Sequence, residues 1–301
     1  DWKEAVQSLA HVWHETSRDL PELEQCLRLC ARWMFAAEVE DDLDGAFLKH
    51  YVAWEALFPR ARGPRKCWYL LLLCIGSADA LCIRTVSQAE RLIDRRNSIA
   101  HPEERGGLCE NLEKDLWVLK QSLRRAFDSA LQIRQRAERC GMPLPDWEKL
   151  LCGTFDCLCS RNAQQAADQE VLALLSDLRL LNGNANQCSR DFLNQEGYAI
   201  RAEALAVKAR ECWEEDPKGC MRHLARAYTV AKQRCLPDTQ LHITLWVKKR
   251  LQEMDEQEFD EGWSASGVGI RAPSKSDLDL EIKRIHRAHG LCPEAVGWMV
   301  R

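Results

Sequence analysis

Apolar side chains recur at every third or fourth position along most of the chain, the spacing that puts them on one face of an α-helix. In segment 20–39 this stripe is formed by Leu23, Leu27, Cys30, Met34 and Ala37. In segment 46–58 it is formed by Phe47, Tyr51, Trp54 and Phe58, and Pro59 ends the helix. No convincing strand-like alternation interrupts these patterns, so the sequence predicts an all-α fold.

The same spacing predicts three further helices in the first half, over residues 67 to 76–83, 86–100 and 108–140. The first of them is the most apolar stretch of the chain, but Asp79 lies within it and it is short for a membrane span, so a buried core helix is expected. Pro102 keeps the residue before it out of helical geometry. His101 is therefore expected at the end of helix 86–100.

A Gly-Met-Pro-Leu-Pro segment, residues 141–145, is the best candidate for a domain boundary. It separates a predicted helical bundle, 1–140, from a predicted helical accessory domain, 146–301, for recognition of a partner or trigger. Helices in the accessory domain are predicted over 146–159, 168–181, 198–213, 218–235, 239–256 and 277–289, with an irregular stretch over 261–276. Residues 202–217 and the helix after them resemble part of a tetratricopeptide repeat, which leaves a repeat-like architecture open.

Composition describes an ordinary globular protein: 301 residues, 46% apolar and 29% charged, with a net charge of -4. A negative net charge argues against a protein that binds nucleic acid through its overall charge, although local basic patches remain compatible with this net charge. The 15 cysteines occur in a long helical chain without a recognisable signal peptide, which favours reduced, buried thiols and a cytoplasmic location, with no membrane partner. We expect no metal and no cofactor, since Cys152, Cys157 and Cys159 do not form a four-ligand set.

The residues that carry candidate chemistry are Arg96, Asn97 and His101, at the end of helix 86–100. Cleavage of RNA without a metal requires removal of the ribose 2′-hydroxyl proton and stabilisation of the negative phosphorane. An imidazole can act as base or acid near neutral pH, and a guanidinium presents a fixed pair of donors to phosphate oxygens. Asn97 can orient the histidine or donate to the phosphate. We therefore predict these three residues as catalytic.

This stretch resembles the R-x4-6-H motif of HEPN-domain ribonucleases, in which the residue after the Arg is often Asn. Residues 47–58 are similar to the aromatic-rich helix that precedes the motif helix in such domains, and the resemblance covers about residues 20–140. It implies a HEPN-like helical bundle and a metal-independent endoribonuclease that acts by 2′-hydroxyl attack. It also implies a homodimer or a partner protein, in phage defence or a toxin-like system.

Charged residues near the motif complete the candidate site. Glu55 and Arg95 are predicted to support it, with Glu55 pairing with His101. The residues predicted to contact the RNA backbone are Arg60, Arg62, Arg65, Lys66 and Arg91. For each of these cations the alternative is a solvated ion pair. The alternative for the whole chain is a catalytically inactive HEPN-like scaffold that mediates protein or RNA binding in a larger complex, and burial of Arg96 and His101 would favour it.

Overall fold

The computed structural model describes residues 21–74, 82–101, 111–139, 141, 146–159, 190–234 and 236–290. Over these residues it contains eleven α-helices and no strand, which confirms the all-α prediction. The first six are α1 Glu22–Glu38, α2 Leu43–Leu57, α3 Gly63–Leu73, α4 Val86–Ala100, α5 Leu112–Arg139 and α6 Trp147–Cys159. The others are α7 Arg190–Cys212, α8 Pro217–Arg234, α9 Pro237–Glu253, α10 Glu256–Ser264 and α11 Lys275–His289.

The chain divides into two compact units. The first contains α1, α2, α3, α5, the part of α4 from Arg91 onward and α6 up to Gly153. The second contains residues 84–90, the rest of α6 and α7 to α11. The division differs from the predicted boundary at 140–146, because the start of α4 groups with the second unit and the start of α6 with the first.

In the first unit, α1 and α2 form a helical hairpin that packs on α5. A short connection between α1 and α2 is sufficient because Asp42 caps the start of α2. Its carboxylate accepts a hydrogen bond from the Gly45 amide at 2.7 Å. The stripes predicted from the sequence are the buried faces, and they include Leu23, Leu27, Cys30, Met34, Phe47 and Trp54. The hydrophobic pattern thus gives both the helices and the faces that they bury.

Helix α3 also packs on α5, and its buried position agrees with the core helix predicted there. Two α5 hydroxyls satisfy backbone groups at the ends of neighbouring segments: Ser129 donates to the Leu73 carbonyl, and Ser122 accepts from the Ile83 amide. Within the described residues, no helix combines the length and apolar character that a membrane crossing requires.

The beginning of α6 belongs to the first unit because of one buried aromatic residue. Trp147 is fully buried, stacks near the ring of Phe58 and donates from Nε1 to the Leu57 carbonyl at 2.9 Å. Leu57 is the last residue of α2, so the indole satisfies a carbonyl that a helix terminus leaves without an intrahelical donor.

In the second unit, α7 and α8 form an antiparallel hairpin with small side chains along the contact. Ala202, Ala206, Ala209, Ala225 and Ala227 are all buried there, and small residues let helix backbones approach closely. Helix α9 packs on α7 and α8, α10 packs on α8, and α11 packs on α9.

Buried charged residues hold residues 84–90 to the rest of the second unit. Glu203 of α7 is completely buried, and its carboxylate accepts from the Val86 amide at 3.4 Å and contacts His242 Nδ1 at 2.8 Å. Arg210 pairs with Glu90, one turn further along α4, and burial raises the pKa of that carboxyl group. The amide of the first residue of α4 therefore donates its hydrogen bond to a carboxylate that α7 supplies.

The described cysteines agree with the expectation of buried thiols except at one pair. Seven of the described cysteines take no part in a disulfide, and all of these except Cys152 are buried. Cys212 and Cys220 are joined by a disulfide, with Cα atoms 5.9 Å apart, because the α7–α8 turn brings the end of one helix beside the start of the next.

Candidate functional site

The motif lies at the C-terminal end of α4, as the sequence predicted. Helix α4 ends at Ala100, and the His101 amide still donates to the Asn97 carbonyl at 3.0 Å. The His101 side chain is exposed to solvent. Because five helical positions correspond to about 140° of rotation, Arg96 and His101 leave the helix in different directions.

Arg96 is half-buried and is held by two contacts. Its guanidinium lies over the ring of Tyr51, 5.6 Å from the centroid, and its Nη1 donates to Asn97 Oδ1 at 3.1 Å. No carboxylate of the described residues forms an ion pair with it. Arg96 is therefore a fixed cation, with donor capacity left for an anion.

Asn97 joins Arg96 rather than His101. Its side-chain oxygen accepts the hydrogen bond from Arg96, and its backbone carbonyl accepts from the His101 amide. Its side chain therefore contacts Arg96, while its contact with His101 is made by the backbone alone. This geometry suits an Asn that orients the guanidinium.

Glu55 and Lys66 form a pair beside the same tyrosine. Lys66 Nζ lies 3.3 Å from Glu55 Oε1, so the structure pairs Glu55 with a lysine and not with His101. Tyr51 is buried, and burial together with the Glu55 charge raises its pKa to about 12, against the Arg96 charge. Its hydroxyl is therefore protonated at neutral pH and keeps a hydrogen to donate.

Arg95 and Arg91 share one carboxylate and lie apart from the exposed motif. Arg95 is 5% exposed and bonds to Asp115 Oδ2 through Nε and Nη2, each at 2.9 Å. Arg91 reaches the other oxygen of Asp115 at 2.8 Å. Arg95 fixes α4 to α5, and its burial removes it from any path of an RNA strand.

The predicted basic loop is engaged in part by contacts within the protein, since Arg60 and Lys66 pair with carboxylates. Arg60 pairs with Glu148 at 3.1 Å and Glu22 at 3.5 Å, and the hydrogen bond to Glu148 raises the pKa of the arginine. Arg65 interacts with the hydroxyl of Tyr69. Arg62 is exposed at the start of α3.

Sequence reasoning missed two residues that organise the site. Tyr51 was assigned only to the apolar stripe of α2, although its ring supports Arg96. Asp115 was not considered, although it neutralises Arg91 and Arg95. The spacing of Tyr51 and Glu55, four positions apart on one helix face, was the available signal for the first. Asp115 offered no such signal, because its contact with Arg95 bridges two helices.

No group of three or more potential metal ligands occurs in the part of the chain that the structure describes. No protein-family model, curated protein or solved structure matches this chain. The HEPN resemblance thus rests on the motif residues and the helices around them.

Proposed function

We propose that this protein is a metal-independent endoribonuclease of the HEPN type, with Arg96, Asn97 and His101 as its catalytic residues. The observation that carries the proposal is that His101 is exposed at the end of α4, while Arg96 on the same terminal turns is a fixed cation without a carboxylate partner among the described residues. An exposed imidazole and an uncompensated guanidinium are the two groups that phosphodiester cleavage without metal requires.

In the proposed reaction, His101 removes the proton of the ribose 2′-hydroxyl, and the 2′-oxygen attacks the adjacent phosphorus. Arg96 stabilises the negative charge of the phosphorane through its remaining N–H donors. The bond from phosphorus to the 5′-oxygen breaks, and that oxygen takes a proton from water. The products are a 2′,3′-cyclic phosphate and a 5′-hydroxyl, and DNA is not a substrate because it has no 2′-hydroxyl.

The test is incubation of the purified full chain with labelled RNA in the presence of EDTA. We expect cleavage to leave cyclic phosphate ends, and His101→Ala to lower the rate by about two to four orders of magnitude. Arg96→Ala is expected to do the same, and Arg96→Lys to restore only part of the activity, because a lysine lacks the planar pair of donors. Lys248→Gln is the matched control, since Lys248 pairs with Asp279 in the second unit. Cleavage that EDTA abolishes, or that His101→Ala retains in full, rejects the proposal.

A second candidate is the inactive helical scaffold that binds another protein, and it has an observation of its own. Large apolar side chains are exposed on α1 and at the α1–α2 connection: Leu29, Phe35, Val39 and Leu43. Phe35 and Val39 are four positions apart on one side of α1, and neighbouring exposed apolar residues are typical of protein contacts. The scaffold is favoured if two results are found together. The wild-type protein does not cut RNA, and it co-purifies with a partner protein that the substitutions Phe35→Ser and Val39→Ser release.

A further inference from the structure

The α7–α8 hairpin carries a group of basic side chains that are not part of the Arg96–His101 motif. We call it the hairpin basic cluster, and it consists of Lys208 on α7 and of Arg222, His223 and Arg226 on α8. Arg226 lies three positions after His223 and four after Arg222, so it is a neighbour of both on the surface of α8.

The alignment of α7 with α8 places Lys208 beside the α8 residues of the cluster. The Cα atoms of Cys212 and Cys220 are 5.9 Å apart, so these two positions lie opposite each other. Lys208 lies about one turn before Cys212, and His223 lies about one turn after Cys220. In an antiparallel hairpin the two residues are therefore neighbours across the contact between the helices.

The direction of the pKa shift of His223 agrees with this placement. Burial lowers its pKa, and the charges of Arg226, Lys208 and Arg222 lower it further, against the opposite effect of Asp216. Its Nδ1 is buried without a hydrogen-bond partner. Neither Lys208 nor Arg222 forms an ion pair with a carboxylate of the described residues, so these two members of the cluster carry positive charge that is available to an anion.

Another cation that forms no ion pair with the described residues lies on the same side of α7. Arg201 precedes Lys208 by two turns, or about 10 Å along the helix. It is only 6% exposed, and its Nε has no hydrogen-bond partner. A buried guanidinium without a counter-charge is costly, and an anion bound along this side of the hairpin would compensate it.

We propose that the hairpin basic cluster binds the phosphate groups of the RNA substrate, an inference that rests on the proposed function. Arginine forks match phosphate oxygens, and Arg222 is exposed and available to make such a contact. Because the chain has a net charge of -4, an RNA strand is attracted by local patches and not by the protein as a whole. The second unit thus supplies sequence-independent affinity, and the motif supplies the chemistry.

The experiment measures binding without cleavage. A fluorescein-labelled single-stranded RNA of about 20 nucleotides is titrated with the full chain carrying His101→Ala, over a range of salt concentrations and with anisotropy as the readout. Adding Lys208→Gln and Arg222→Gln is expected to weaken binding on the order of tenfold and to reduce the salt slope by about 1.4, or 0.7 for each lost phosphate contact. Arg222→Lys is expected to keep most of the affinity.

The matched control is Lys248→Gln with Arg284→Gln, which removes the same charge from the same unit. Both control residues already pair with carboxylates, Asp279 and Glu281, so RNA binding should not change. Equal losses of affinity in the control and the cluster variant overturn the inference, and so does an unchanged salt slope in the cluster variant.

Thermal unfolding is measured for each variant to show that it is folded. If the double variant is misfolded, the single variant at exposed Arg222 gives the result. Competition by inorganic phosphate is also measured. If free phosphate displaces the RNA at the same concentration of phosphate groups, the inference is overturned, because the cluster is then a site for the free ion.

Failure of this inference and failure of the nuclease proposal are distinguishable. If wild-type protein never cuts RNA but binding depends on Lys208 and Arg222, the cluster stands and the nuclease proposal fails. If cleavage depends on His101 while the cluster variant binds and cuts as wild type does, the nuclease stands and the cluster fails.

Discussion

Arg95 and Arg96 are adjacent in the sequence and have opposite environments. Arg95 is buried and bonded twice to Asp115, whereas Arg96 is half-buried over the ring of Tyr51, and no carboxylate in the described part of the chain pairs with it. Successive helical residues point about 100° apart, so one faces α5 and the other faces α2. Proximity to a motif in the sequence therefore does not assign a common role to two arginines.

Substitution Asp115→Asn is expected to destabilise the first unit strongly. It removes the counter-charge of Arg95 in a buried position, and such a loss typically costs about 3–5 kcal/mol in the free energy of unfolding. Urea denaturation measures the effect. Glu138→Gln is the control, since Glu138 pairs with Arg134 in an exposed contact four positions apart, where the loss should be below about 0.5 kcal/mol. Equal effects of the two substitutions would contradict this account.

His50 makes the stability of the first unit dependent on pH. It is 2% exposed on α2, and burial lowers its pKa to about 4. Since an unfolded histidine titrates near 6.5, the unfolded state binds the proton first as the pH falls, and stability is lost between about pH 6.5 and 4. We expect a loss of about 2 kcal/mol between pH 7 and pH 5, measured by urea denaturation. His50→Phe should remove most of this dependence, and a variant that keeps it would assign the effect to other groups.

At the level of helices, the sequence predicted most of the first unit because its apolar stripes are regular. Helix α4 was predicted with its observed ends, and α1 and α2 agree within a few residues. Helix α3 begins earlier than predicted, at Gly63, because Pro64 is favourable in the first turn of a helix. The motif was placed at the correct helix end, since Pro102 marks that position in the sequence.

The second unit shows what periodicity misses. Helix α7 begins eight residues before the predicted start, because nearly all of its described positions from Glu196 to Val207 are buried and no polar face marks its course. Helix α10, Glu256–Ser264, was not separated from its neighbours, and residues 261–264 were assigned to an irregular stretch because of their Gly and Ser content. The predicted helix 168–181 lies outside the described residues. The hairpin basic cluster was not predicted, since Lys208 joins Arg222 only through the turn.

Helix α11 offers a test of local stability. Ser274 and Asp277 form a capping box, in which the Ser274 hydroxyl accepts from the Asp277 amide at 3.2 Å and the Asp277 carboxylate accepts from the Ser274 amide at 2.9 Å. Ser274→Ala is expected to lower the free energy of unfolding by about 1 kcal/mol, measured by denaturation of the full chain. Ser274→Gly should cost only a few tenths, because glycine is tolerated at this position. If alanine and glycine have the same effect, the capping interaction is not the cause.

At the level of the whole molecule, the division into units predicts where the chain can be shortened. Residues 146–153 group with the first unit, and Trp147 is buried there against Phe58. A fragment 1–145 should therefore be less stable than a fragment 1–159, by about 3 kcal/mol or more, since loss of a buried tryptophan costs that much. Urea denaturation of both fragments decides the matter. Equal midpoints would place the boundary before α6, as the Gly-Pro segment suggested.

The contact between Glu203 and the Val86 amide has a consequence for how the protein is made. The two residues are 117 positions apart, so the first turn of the motif helix receives its carboxylate only after most of the chain has been synthesised. At ordinary rates of translation this interval lasts about 6 to 23 seconds. A nascent chain passes through that period with the motif already synthesised and the first turn of its helix without this carboxylate, which delays completion of the helix that carries Arg96 and His101.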